Sequence, residues 1–314
     1  IDPCLNPDGR ERYVSFYRQT VGINADPTPI AIEHNEPWPG GRQNHYLFDL
    51  NRDWTWCTQV ESAQRLAIYT QFKPQLHIDN HEQGMHSPYF FGAGDTPYNQ
   101  NIPEETKQWL DIYGRANAEV FDRHGLPYAT RERFDYLYPG YGKVTPVYHG
   151  AVGLLTEQGG HGRGGLAVTL DDEHGGGAVL TLRRRAMNHF LTSMSYLETT
   201  AARRADQLER FARFYRDSMT VEAGEPTAYV LTTADPTTRA RVWALCKRHG
   251  IEIDRLDQAA VTGNLGAYVA PFERDTVTLD AGSWVIRAGQ PMGRLARALF
   301  ERETEIEDRN TYDI

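Results

Sequence analysis

The sequence predicts an α/β protein: a mixed, largely parallel sheet flanked by helices, followed by a small α/β unit. Three observations predict it. Short alternating or apolar stretches such as "LHIDN" (76–80) and "GAVGLLTEQGG" (150–160) read as strands. Longer segments at 58–73, 103–124 and 182–217 read as helices, and apolar residues run along one side of the first and last of them. An apolar content of 40% over 314 residues is enough for the core of one large domain, or one large and one small.

Taken in order, Asn6-Pro7-Asp8-Gly9 carries strong turn chemistry and predicts a turn. Residues 22–41, rich in Pro, Gly and Asn, predict a long loop, and "HYLFDLNRDW" (45–54) a short extended piece. The helix over 58–73 takes Thr58 as its N-cap, with Glu61 three residues on. In "LHIDN", Leu76, Ile78 and Asn80 alternate with His77, Asp79 and His81. Asp79 and His81 then stand at the carboxyl edge of a strand, where open α/β sheets place their chemistry. The segment 150–160 predicts a buried strand ending at Glu157, and the helix over 182–217 lines up Ala186, Phe190, Met194 and Leu197. A composition shift at 219–227 predicts a linker between a region 1–218 and a smaller one, 228–314. The latter holds "AYVLTT", a helix over 237–249, "IEIDRL", "AYVAP", "TVTLDAGSWVIRA" and a closing helix with Pro291 at its start.

The formal net charge of −9 argues against nucleic acid or an anionic membrane as a general partner. No apolar run is long enough to cross a bilayer. Three widely spaced cysteines indicate neither a disulfide framework nor a Cys-type zinc site. The opening "IDPCLNPDG" has no initiator methionine or signal-like segment, as expected for a piece of a longer protein.

"HIDNHEQGMH" (77–86) concentrates three histidines, an aspartate and a glutamate. The spacing misses the HExxH helix signature, because His81-Glu82 is followed by His86 and Gly84 interrupts the helix that signature needs. The alternatives are a metal-binding strand end and a polar strand end with solvated histidines.

Four stretches in order, "NPDG" (6–9), "GRQNHYLFDLNRDW" (41–54), "DNHEQG" (79–84) and "GLLTEQGG" (153–160), resemble the zinc metallocarboxypeptidase family, in its bacterial branch with a C-terminal extension. The resemblance covers roughly residues 1–200. It implies a carboxypeptidase-like sheet, a catalytic zinc, and a peptide or peptide-like substrate with a free C-terminal carboxylate. It also implies export as the compartment. His81 matches the family's later histidine ligand, and Asp79 could orient it. Glu82, His77 and His86 match no ligand, and surface or loop roles are expected for them. Glu157 matches the general base, its alternative being a salt-bridged strand end. Arg42 resembles the arginine that steadies the oxyanion, with Arg18 and Arg10 as rivals. Asn51 and Arg52 match the pair that grips the terminal carboxylate, against local pairing of Arg52 with Asp49 or Asp53. The mobile tyrosine that caps the substrate is Tyr141 or Tyr138, and ordinary packing is the alternative for both.

One departure stands out. The family's HxxE motif, which supplies two zinc ligands upstream of NPDG, is absent, so the first strands are expected to be missing as well. The only HxxE spacing, His249 to Glu252, straddles a helix end in the small unit and reads as fortuitous. The implied reaction is metal-dependent hydrolysis of a C-terminal peptide or related amide bond, by a protein of which this chain is an incomplete, inactive part. The rivals are a cell-wall-peptide or acyl-amino-acid amidohydrolase and a non-catalytic peptide- or glycan-binding module. Side-chain specificity and oligomeric state are open.

Overall fold

The computed structural model describes residues 1–26, 28, 30–84, 87–160, 167–168, 178–233, 235–263, 265–266, 268, 273–274 and 276–306. Helix α1 (Pro7–Thr20) begins where a turn was expected. Asn6 is its N-cap, accepting from the Gly9 amide at 3.0 Å, and Pro7 takes the first helical position, where its missing N–H costs nothing. A β-turn and a capped helix start draw on the same residues. The Asn6 side chain also donates to the carbonyls of Gly41 and Arg42 at 3.2 and 3.1 Å, and Arg12 to those of Gln43 and Asn44 at 3.2 Å each. The long loop is therefore stapled to α1 around Arg42. The segment expected to be extended at 45–54 instead holds a 3-10 turn at Leu50–Arg52, closed by Asp49 Oδ1 accepting from the Asn51 amide at 2.8 Å.

Helix α2 (Val60–Phe72) starts two residues after Thr58, so Thr58 is not its N-cap. Asp53 does the capping from outside, accepting from the Thr58 and Gln59 amides at 2.9 Å each. Strand β1 (Leu76–Gln83) follows, then β2 (Tyr89–Phe91), α3 (Glu104–Arg123), β3 (Tyr128–Ala129), the short α4 (Thr145–Tyr148) and β4 (Val152–Gly159). These strands form a mixed sheet in the order β1-β4-β2-β3. β1 runs parallel to β4 and β2 parallel to β3, while β2 meets β4 antiparallel. Every residue of β4 is buried, and Glu157 lies within the strand, two residues short of its end. Among the described residues, β1 is an edge strand.

A two-residue pair, β5 (Ala167–Val168) with β6 (Ala178–Val179), precedes the long basic segment. That segment is two helices, α5 (Leu182–Ala202) and α6 (Arg204–Ser218), broken at Arg203. The expected apolar stripe faces outward: Phe190 and Leu197 are 57% and 52% exposed. The buried face of α5 is polar instead, because the strand ends it covers are polar. Asn188 donates to Gln158 at 2.6 Å, Thr192 meets the Tyr89 hydroxyl at 2.9 Å, and Arg185 pairs with Glu82.

Residues 219–227 carry no helix or strand. Beyond them come β7 (Ala228–Leu231), α7 (Pro236–His249), β8 (Asp254–Arg255), β9 (Ala260–Thr262), β10 (Leu265–Gly266), β11 (Glu273–Arg274), β12 (Val277–Leu279), β13 (Trp284–Arg287) and α8 (Gly293–Phe300). The run at 276–288 is split by a turn into β12 and β13, and Pro291 precedes the cap of α8 rather than starting it. The "AYVAP" strand lies largely outside the described residues. β13 is central to an antiparallel sheet, β7-β13-β8. Its Ile286, with Cys246, Ile251 and Leu295, joins the same apolar core as Tyr136, Val147, Tyr148 and Leu154. No helix among the described residues is long and apolar enough to cross a membrane.

Candidate active site

The parallel register of β1 and β4 sets His81 directly beside Glu157. Both stand toward the carboxyl ends of their strands, at the wall of a cleft of about 320 Å³ that Arg42, Asn51, Arg52, Asp79, Tyr141, Lys143 and Leu155 also line. Five predicted residues spread over more than a hundred positions, Arg42, Asn51, Arg52, His81 and Glu157, thus share one cleft.

His81 Nε2 lies 3.0 Å from Asp79 Oδ1 and 3.0 Å from Asn51 Nδ2, while no described residue bonds Nδ1. Burial works against charge on both His81 and Asp79, but their mutual attraction outweighs it, holding the Asp79 carboxyl below its ordinary range and raising His81. Asn51 also links two parts of the cleft. Its Oδ1 accepts from the Gly142 amide at 2.6 Å, so one amide side chain ties the histidine strand to the tyrosine-rich loop. Gly142 is needed there, since a Cβ would stand 2.4 Å from Asp79 Oδ2 and 2.9 Å from Asn51 Oδ1.

Glu157 is 7% exposed and forms no salt bridge among the described residues; its Oε2 is buried without a hydrogen-bond partner. Burial pushes its carboxyl up to about 7, against the pull of His81, Lys143 and Arg42. A carboxyl balanced near neutrality, with one oxygen unspent, is suited to accept and return a proton.

Arg42 reaches the cleft while bonded through Nε and Nη2 to Asp49 Oδ2 at 3.1 and 3.0 Å. Its rivals are elsewhere: neither Arg10 nor Arg18 lines the cleft, and Arg10 pairs with Glu11. Arg52 does have a local contact, 3.9 Å from Asp49 Oδ2, and its guanidinium lies 4.6 Å from the Tyr141 ring centroid. Tyr138 is committed to structure. Its hydroxyl donates to the Arg52 carbonyl at 2.8 Å and accepts from Trp56 Nε1 at 2.6 Å, whereas Tyr141 lines the cleft.

One expectation for the histidine cluster needs correction. His77 is a half-buried strand residue rather than a solvated or loop one; it packs edge-on against Trp54 and Tyr69, and burial lowers its pKa. Glu82 is on the cleft wall, ion-paired with Arg185. His86 lies outside the described residues. His249 is remote from the cleft: its Nε2 donates to the Thr55 carbonyl at 2.7 Å, and Nδ1 accepts from His149 Nε2 at 3.0 Å. Glu252 is exposed and pairs with Arg287 at 3.4 Å.

Among the described residues no three His, Cys, Asp or Glu side chains come together as a metal-binding group. His81 fits as one nitrogen donor, and the unpartnered Glu157 Oε2 and Asp79 Oδ2 leave polar capacity beside it, but the set does not complete a zinc site. Sequence reasoning missed Lys143. It is buried in the cleft, and burial pulls its pKa down to about 7 against the attraction of Asp135, Glu157 and Asp79. A lysine in a Gly/Pro-rich loop reads as solvated, and only its neighbour Tyr141 drew attention to that loop. Comparison of the chain with protein-family models, curated proteins and solved structures found no match.

Proposed function

We propose that the cleft binds the C-terminal residue of a peptide and that the protein hydrolyses the adjoining amide bond with a metal ion, as a member of the zinc metallocarboxypeptidases. The observation that carries this reading is the pairing of His81 with Glu157 in adjacent parallel strands, within a cleft that also holds Asn51, Arg52 and Arg42. The four-stranded sheet is, on this reading, part of a carboxypeptidase-like sheet.

Each residue has a task that its surroundings support. Arg52, with its planar fork, holds the substrate's terminal carboxylate, and Asn51 sets the distance between that clamp and His81. Glu157 takes a proton from the attacking water and passes it to the leaving amine. Arg42, steadied by Asp49, stabilises the oxyanion, and Tyr141 closes over the bound residue. Zinc, when bound, would polarise the scissile carbonyl and the water. His81 is the one donor among the described residues, and on this reading two further donors lie outside them. A non-catalytic peptide-binding module is the second reading, favoured by that incomplete donor set.

Hydrolysis decides between them. With the full ligand set and zinc supplied, N-blocked dipeptides with a free C-terminus should be cleaved. Glu157→Gln should keep its metal and lose turnover by about 100-fold or more. Metal lost in the variant would make Glu157 a ligand, and no cleavage by the wild type would leave the binding module.

A further inference from the structure

Lys143 sits in the cleft at 4% exposure, and its ammonium makes no hydrogen bond and no ion pair among the described residues. It lies 4.5 Å from the Tyr136 ring centroid and 5.6 and 5.8 Å from those of Phe134 and Tyr141. Contacts with ring faces recover only part of what an ammonium loses on leaving water. A structural buried lysine is normally paired with a carboxylate. Here Asp135, Glu157 and Asp79 favour the charge, Asp135 most strongly, without a hydrogen bond to it, and Glu157 Oε2 and Asp79 Oδ2 are themselves unpartnered.

The position of this cation is fixed by its neighbours. Gly142 is held to Asn51, and Tyr141 presents its ring to both cations, Arg52 at 4.6 Å and Lys143 at 5.8 Å from the centroid. A ligand whose α-carboxylate meets Arg52 therefore has a second positive group within the same cleft. Glu82, which also lines the cleft, is paired with Arg185.

We propose that Lys143 is the specificity-determining residue of the cleft, its ammonium receiving the side-chain carboxylate of a C-terminal aspartate or glutamate while Arg52 holds the α-carboxylate. This inference rests on reading the cleft as a peptide C-terminus site. A dicarboxylate end gives the ammonium a direct charge-assisted hydrogen bond, where Asp135, Glu157 and Asp79 act on it only through space. An apolar C-terminal residue leaves that ammonium unsatisfied, and the site discriminates by this difference.

The test is calorimetric titration of the chain at pH 6 with N-acetyl-Ala-Glu and N-acetyl-Ala-Leu, repeated on Lys143→Met. The wild type should bind the glutamyl peptide about tenfold or more tightly than the leucyl one. Lys143→Met should lose that preference through a weaker glutamyl complex, with circular dichroism checking that the variant is folded. Equal affinities in the wild type, or an equal loss of both peptides in the variant, would overturn the inference and leave the C-terminus reading standing. Failure of the wild type to bind either peptide would overturn both.

Discussion

Gly142 concentrates the demands that the site makes on single residues. It donates to Asn51 from a position where any side chain would strike Asp79, the carboxylate that holds His81. Gly142→Ala should therefore move Asp79 or Asn51 and cost roughly 1–3 kcal/mol, as overpacked substitutions do. Urea denaturation measures it, and an unchanged midpoint would show that the loop gives way freely. Such dependencies explain what could be read at this scale. His81, Glu157, Asn51 and Arg52 stood out because their order and spacing are distinctive. Lys143 and Gly142 did not, since a lysine and a glycine in a loop acquire meaning only from the strand packed against them. His77 was misjudged for the same reason, its neighbours Trp54 and Tyr69 being distant from the histidine cluster in sequence.

At the scale of elements, periodicity located most helices and the two principal strands, but not the direction each face takes. The apolar side of α5 points to solvent because its polar side has partners on the sheet: Gln158, Tyr89 and Glu82. α2 repeats the pattern, with Ile68 and Phe72 exposed at 60% and 76%. The two helices cover opposite faces near β1, since Tyr69 of α2 meets His77 while His189 of α5 meets Thr156, which bonds Asn80. Between them runs an eight-residue strand paired, among the described residues, on one side only. An open edge between two apolar surfaces favours association. The chain should therefore self-associate at high concentration, and Phe190→Glu with Leu197→Glu should reduce this without lowering stability by more than about 0.5 kcal/mol. Light scattering on the eluting protein tests it; a strictly monomeric wild type would contradict it.

Across the whole molecule, the smaller C-terminal region is joined to the rest through buried polar contacts as well as a shared core. His149 donates to His249, His249 donates to Thr55, and Arg248 donates to the Cys57 carbonyl at 3.1 Å. Burial forces both imidazoles toward neutrality, His249 to about 4. With its folded pKa below the unfolded value of 6.5, the unfolded chain binds more protons between those limits. Stability from this group is complete above pH 6.5 and is lost as pH falls through the window, by about 2 kcal/mol at pH 5. His249→Gln should flatten that dependence; an unaltered slope between pH 5 and 7.5 would show the pair to be protonated without penalty. The segment 219–227, which carries neither helix nor strand, was visible as a change of composition. The continuity of the core was not, because residues such as Cys246 and Tyr148 reveal their contact only in the folded chain.

The central claim, that the cleft recognises a peptide's free C-terminus through Arg52, is tested most directly by comparing one peptide as its acid and as its amide. Calorimetric titration with N-acetyl-Ala-Glu and its C-terminal amide isolates the α-carboxylate and needs neither metal nor turnover. The acid should bind at least about tenfold more tightly, and Arg52→Met should bring the two together by weakening the acid alone. Equal affinities of acid and amide for the wild-type chain would contradict the account.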